Sequence, residues 1–226
     1  MKKILVCGDS YAITDPEFPG LHWTEKMLEK SGDIELVNFA YGGASNGLIC
    51  LQLLQGLEFN PDFVIMVFTD HTRYEVDRNL DHMPWQLDEP ALAAHMQQRY
   101  TTNMYTNLGE KNVIINNFLE NAVSDKFAKL KNYFLIAFCL QTLEQRGIPF
   151  CYSLGGFEYV QHNYKHNIRT HYHTDLLDNY TSKELATNLC YGGPQVKRPY
   201  FHVINHAVHE LFANQCMERI NQLTLE

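Results

Sequence analysis

The sequence holds no long hydrophobic run. Its first apolar stretch, Ile4-Leu5-Val6-Cys7, stops at Gly8-Asp9-Ser10. That is far short of the roughly 20 residues of a membrane helix or the roughly 7–15 of a secretory leader. The expectation is a cytoplasmic protein with no signal peptide, no transmembrane segment and no membrane partner. Cationic residues are scarce: 18 Lys and Arg stand against 26 Asp and Glu, the formal net charge is −8, and no basic run occurs. Nucleic-acid binding rests on clustered Lys and Arg, so no nucleic-acid partner is expected. Neither GxGxxG nor GxxxxGK[ST] is present, which removes the usual dinucleotide and P-loop readings. No CxxC pair exists. The six cysteines, at 7, 50, 139, 151, 190 and 216, fall partly inside apolar runs such as Phe138-Cys139-Leu140. They read as buried reduced thiols rather than disulfides. Internal repeats and low-complexity tracts are also missing.

What is present suits a globular chain. Of 226 residues, 45% are hydrophobic and 19% charged, enough for one domain over 1–226 with a sizeable core. Residues 3–7, 34–38, 62–68 and 148–153 read as strands, the first as a continuous apolar run buried on both faces and the third as the most apolar. Helical spacing occupies the stretches between and after them. It covers 21–30 (apolar at 21, 23, 27 and 28), 46–57, 126–145 (Phe127, Leu130, Phe134, Leu135, Phe138, Leu143) and about 205–222 (Val208, Leu211, Phe212, Cys216, Ile220). Gly147 is the expected stop of the third helix. This alternation predicts an open, mostly parallel sheet with helices on both faces, a three-layer α/β/α fold. Two stretches break the pattern. Residues 76–125, polar and aromatic, read as a helical insertion. Residues 155–200, rich in His, Tyr and Asn, read as a second insertion, a long loop of functional or flexible character.

In such sheets ligands bind beyond the carboxyl ends of the strands, so the residues that follow each strand matter most. Gly8-Asp9-Ser10 follows the first strand. It fits either a hydroxyl presented at the sheet edge or an ordinary capped turn. Asn38-Phe39-Ala40-Tyr41-Gly42-Gly43-Ala44-Ser45-Asn46 follows the second. Its glycines either expose N–H groups to a ligand or make a turn into the helix. Thr69-Asp70-His71-Thr72-Arg73 follows the third, as site residues or as a solvated loop with a local Asp70–Arg73 pair. His202 precedes the last helix.

These four segments together resemble the SGNH hydrolases, also called GDSL esterases. The similarity runs the length of the chain in order, apart from the two insertions. Among them it is strongest to SGNH-like proteins encoded by tailed phages. The resemblance implies an SGNH/flavodoxin-like fold and a serine esterase or acyl hydrolase acting on a small or carbohydrate-linked ester. It also implies Ser10 as nucleophile, His202 as general base and the Ser10 and Gly43 N–H groups as oxyanion donors, with no cofactor. Two departures stand out. The family's third motif reads G-x-N-D, and here Val67-Phe68-Thr69-Asp70 gives Thr69 as the third oxyanion donor. The family's D-x-x-H has Pro199 three residues before His202, and no histidine of the chain has Asp or Glu at that spacing. The acid of a triad fixes the imidazole tautomer and stabilises the imidazolium. Another group must do this here, and Asn205 is a candidate; Asp9, Asn46 and Asp70 are further supporting residues. A catalytically degenerate SGNH-fold binding protein is the alternative.

Two histidine groups complete the inventory. His202, His206 and His209 fall at i, i+4 and i+7 and share a helix face if the last helix starts early, which suits zinc or a wetted stripe; no metal site is assigned. His162, His166, His171 and His173, interleaved with Tyr159, Tyr164, Arg169 and Tyr172, fit a substrate cleft, a pH sensor or a polar loop.

Overall fold

A computed structural model describes residues 1–14, 19–74, 76–77, 104–105, 124–154 and 206–223. In chain order the strands are β1 (Lys2–Gly8), β2 (Ile34–Asn38), β3 (Phe63–Val67), β4 (Val76–Asp77), β5 (Met104–Tyr105) and β6 (Phe150–Ser153). The helices are α1 (Trp23–Lys30), α2 (Asn46–Gly56), α3 (Asp125–Gln145) and α4 (His206–Leu223). Single 3₁₀ turns lie at Ser10–Ala12 and Leu57–Phe59.

Four strands form a parallel sheet in the order β2-β1-β3-β6. Side chains alternate across a strand, and β1 shows the consequence. Ile4 and Val6 join the core on the α1/α4 side with Trp23, Met27 and Phe212. Leu5 and Cys7 join the core on the α2/α3 side with Ile49, Leu53 and Leu140. A strand covered on both faces must be apolar throughout, which is why KILVC and FVIMV carry no alternation. The three layers are therefore α1/α4, sheet and α2/α3, the flavodoxin-like arrangement expected from the sequence. β1 leads through α1 to β2 on one side, while β2 leads through α2 back past β1 to β3. The chain thus reverses direction between β1 and β3, and the crevice of such a sheet opens there, at Gly8 and Val67.

The helix ends follow local chemistry. Ser45 caps α2 and Ser124 caps α3, each hydroxyl accepting a backbone N–H of the first turn. Gly147 ends α3 in the left-handed region at φ 64°, and the following Ile148 N–H returns to the Leu143 carbonyl.

The stripe of Phe127, Leu130, Phe134 and Phe138 does not face the core of the described residues; all four are exposed. α3 instead buries Ala128, Asn132, Ile136, Cys139, Leu140 and Leu143, because the buried face runs through a polar residue with a structural role described below. Within the expected helical insertion at 76–125, the described residues before α3 are an antiparallel pair, Val76 opposite Tyr105. The remainder of that insertion and all of 155–200 lie outside the described residues. Among the described cysteines, Cys7, Cys50, Cys139, Cys151 and Cys216 are buried free thiols, and burial pushes the Cys7 thiol well above its ordinary pKa. No described helix is long and apolar enough to cross a membrane.

Candidate active site

Three loops meet at the carboxyl ends of β1, β2 and β3. The first begins at Gly8, where only glycine fits: a Cβ would lie 2.8 Å from the Ala12 Cβ and 3.0 Å from the Val67 Cβ. The Gln52 side chain of α2 fixes this strand end. Its amide oxygen accepts the Gly8 N–H at 2.8 Å and its amide nitrogen donates to the Gly8 carbonyl at 3.1 Å. The chain then enters the 3₁₀ turn Ser10–Ala12. Asp9 caps it, its Oδ1 accepting the Tyr11 N–H at 3.0 Å. Ser10 is the first residue of that turn and is half-buried. Among the described residues no hydrogen bond uses its hydroxyl or its N–H.

The second loop is tied to the first. The Tyr41 N–H donates to the Gly8 carbonyl at 3.0 Å, and the Asn38 amide donates to the Ala12 carbonyl at 2.7 Å. A tight turn closes from the Ala44 N–H to the Tyr41 carbonyl at 3.0 Å. Gly43 sits in it at φ 80°, a conformation that side chains resist. Its N–H is not used by any hydrogen bond among the described residues.

The third loop is held by Asn46 as Gly8 is held by Gln52. The Asn46 side chain accepts the Thr69 N–H at 2.9 Å and donates to the Thr69 carbonyl at 2.8 Å. It also donates to Asn132 Oδ1 at 2.8 Å; this is the polar contact that puts Asn132 on the buried face of α3. The Thr69 hydroxyl donates to Asp9 Oδ2 at 2.8 Å. Arg73 Nη1 donates to the same oxygen at 2.7 Å and to the Ala44 carbonyl at 3.1 Å. Asp9 is fully buried, so this guanidinium supplies the counter-charge a carboxylate needs there. The local Asp70–Arg73 side-chain pair does not form. Asp70 Oδ1 takes the Thr72 N–H at 2.6 Å, and Arg73 reaches across to Asp9.

Beside this loop, His71 Nε2 lies 2.7 Å from Asp125 Oδ1 at the start of α3. The hydrogen bond from His71, with Lys129 adding to it, holds the Asp125 carboxyl below its ordinary pKa.

Of the sequence-derived site, Asp9, Ser10, Gly43, Asn46, Thr69 and Asp70 are thus described. Asp9 and Thr69 touch, Thr69 is clamped by Asn46, and Gly43 adjoins the Ala44 carbonyl that Arg73 binds. Thr69 has one hydroxyl proton and gives it to Asp9, so donation to an oxyanion requires that hydroxyl to turn. His202, Asn205 and the histidines at 162, 166, 171 and 173 lie outside the described residues. Gln52 and Arg73 were not singled out as site residues from the sequence. Nothing in the sequence marks Gln52. Arg73 was visible only as a neighbour of Asp70.

A buried histidine pair lies under the first loop. His22 caps α1, and Glu25 completes a capping box. Its Nε2 faces the Tyr11 carbonyl at 3.0 Å, and its ring lies 5.2 Å from that of His209. His209 Nδ1 accepts the Trp23 N–H at 3.1 Å, so this member of the supposed zinc face is buried and hydrogen-bonded to backbone. Burial, and then the neighbouring His209, pull the His22 pKa from 6.5 to about 3. Among the described residues no group of three His, Cys, Asp or Glu is placed to hold a metal ion.

No protein-family model matches the chain, and no curated protein matches it. Solved structures do resemble it. The psychrotrophic esterase EstA from Pseudoalteromonas sp. is 11% identical, with all of both chains covered and a TM-score of 0.49. The acetyl xylan esterase AlAXEase is 11% identical over 96% of this chain and 99% of its own, with a TM-score of 0.45. A G-D-S-L family lipolytic protein of Desulfitobacterium hafniense DCB-2 is 11% identical over 97% of this chain and 99% of its own, with a TM-score of 0.44. At that identity and those scores, these likenesses assign no activity.

Proposed function

We propose that this chain is a serine-dependent ester hydrolase of the SGNH type. Ser10 is the nucleophile and His202 the base. A serine hydroxyl needs such a base to become nucleophilic. The Ser10 and Gly43 N–H groups receive the oxyanion, joined by the Thr69 hydroxyl once it turns from Asp9. Asn205 orients the base in place of the absent D-x-x-H acid. The substrate is a small or carbohydrate-linked ester, and the tailed-phage resemblance bears on provenance alone.

The observation that carries this reading is the state of Ser10. It stands at the β1/β3 crevice, half-buried, with its hydroxyl and N–H unspent among the described residues, on a turn whose capping carboxylate is held by three donors. A serine that caps or turns the chain can spend its hydroxyl on nearby backbone; among the described residues Ser10 does not.

The test is turnover of p-nitrophenyl acetate by the wild type and by Ser10→Ala. The proposal expects turnover that is lost in the variant. Equal rates in the two remove it. Two observations favour the second reading, a binding protein on the same fold: Pro199 in place of the acid, and a Thr69 hydroxyl committed to Asp9. Equal rates in that assay, together with a well-folded Ser10→Ala protein, are the outcome it expects.

A further inference from the structure

We infer that Arg73 is a positioning residue of the Ser10 site, fastening the nucleophile's turn to the oxyanion turn through a single guanidinium nitrogen. The inference rests on the esterase reading above and deepens it.

Nη1 of Arg73 makes both contacts. It bonds Asp9 Oδ2 at 2.7 Å, and Oδ1 of the same carboxylate accepts the Tyr11 N–H, capping the turn bearing Ser10. It also bonds the Ala44 carbonyl at 3.1 Å. The Ala44 N–H closes the turn in which Gly43 lies, so fixing the Ala44 peptide orients the stretch that presents the Gly43 N–H. One nitrogen on the loop after β3 thus sets the loop after β1 against the loop after β2. The site needs that relation, because an oxyanion must meet the Ser10 and Gly43 N–H groups together, at hydrogen-bonding distance from both. The surroundings suit a rigid strut. Asp9 is fully buried and the Arg73 side chain only 11% exposed, so solvent screens the pair little. Thr69 adds a second donor to the same Oδ2. A planar guanidinium holds such geometry better than the flexible point charge of lysine.

The experiment compares wild type, Arg73→Gln and Arg73→Lys by hydrogen–deuterium exchange of peptides covering residues 8–13 and 40–46, and by steady-state kinetics on p-nitrophenyl acetate. The expected result for Arg73→Gln is faster exchange in both peptides at once. Its kcat should fall about 10²-fold, the scale of a misplaced catalytic group, with KM little changed, and added guanidinium ion should restore part of that kcat. Arg73→Lys keeps the counter-charge of Asp9, so it carries the test if the Gln variant does not fold. It should show the same effects to a smaller degree. Unchanged exchange, or loosened loops with wild-type kcat, overturns the inference, as does loss of kcat without loosened loops. If the wild type itself shows no Ser10-dependent turnover, the esterase reading fails, and the exchange measurements still decide whether Arg73 couples the two turns.

Discussion

Lowering the pH from 7 to 5 should destabilise this protein through one buried imidazole. His22 Nε2 donates to the Tyr11 carbonyl, and its Nδ1 accepts the Thr24 N–H. Both nitrogens are therefore used as a neutral ring uses them. Burial first, and His209 second, lower its pKa from 6.5 to about 3. In the unfolded chain the same ring takes up a proton near 6.5, whereas the folded ring stays neutral down to about 3. The unfolded state thus binds more protons between those values. Stability is fully present above pH 6.5 and is lost as pH falls towards 3. Each unit is worth about 1.4 kcal/mol. The loss is then about 2 kcal/mol at pH 5, and about 4–8 °C in melting temperature for a chain of this size. Calorimetry at pH 7, 6 and 5 on wild type and His22→Asn measures it. Asn is a good N-cap, and Trp23 Nε1 still satisfies the Tyr11 carbonyl at 2.9 Å. The variant should lose the part of the pH dependence that His22 contributes, about 2 kcal/mol between pH 7 and 5, while the buried His209, whose Nδ1 accepts the Trp23 N–H, remains. The lowered carboxyls, Asp125 and Glu210, act only below their ordinary values of 3.8 and 4.5 and leave the window clear. An identical slope in wild type and His22→Asn refutes the reasoning.

Two further perturbations probe the strand ends. Gln52→Leu leaves the Gly8 N–H buried without its partner, while the Gly8 carbonyl keeps the Tyr41 N–H; urea unfolding should show a loss of about 1–3 kcal/mol, and a change within about 0.5 kcal/mol, the range of ordinary surface substitutions, contradicts the clamp. Thr69→Val should lower kcat about 10²–10³-fold, the usual cost of one oxyanion donor, while Thr69→Ser retains activity. Wild-type kcat in Thr69→Val would leave Thr69 as a ligand of Asp9 alone.

The main strands and helices were legible because their signals are local. KILVC read as a strand buried on both faces, DFVIMVF as the most apolar strand, and Gly147 as a helix stop. The turn glycine Gly43 likewise announced itself. The buried face of α3 did not, because it passes through Asn132, whose amide is needed by Asn46 eighty-six positions earlier. The aromatic stripe of Phe127, Phe134 and Phe138 gave the stronger periodic signal, on the exposed side. Arg73 looked like the partner of Asp70, three residues away. Turn closure gave the Asp70 carboxylate to Thr72 and sent the guanidinium to Asp9. The His22–His209 pair joins residues far apart in sequence, and no spacing rule reveals such a contact. Each miss is a polar contact made across the fold, where local pattern carries no information.

The most direct measurement on the central claim is intact-protein mass after exposure to a fluorophosphonate, which bonds covalently to an activated serine. The account predicts a single adduct, mapped to the peptide bearing Ser10 and absent from Ser10→Ala. An unmodified wild type, or an adduct that persists in Ser10→Ala, contradicts it.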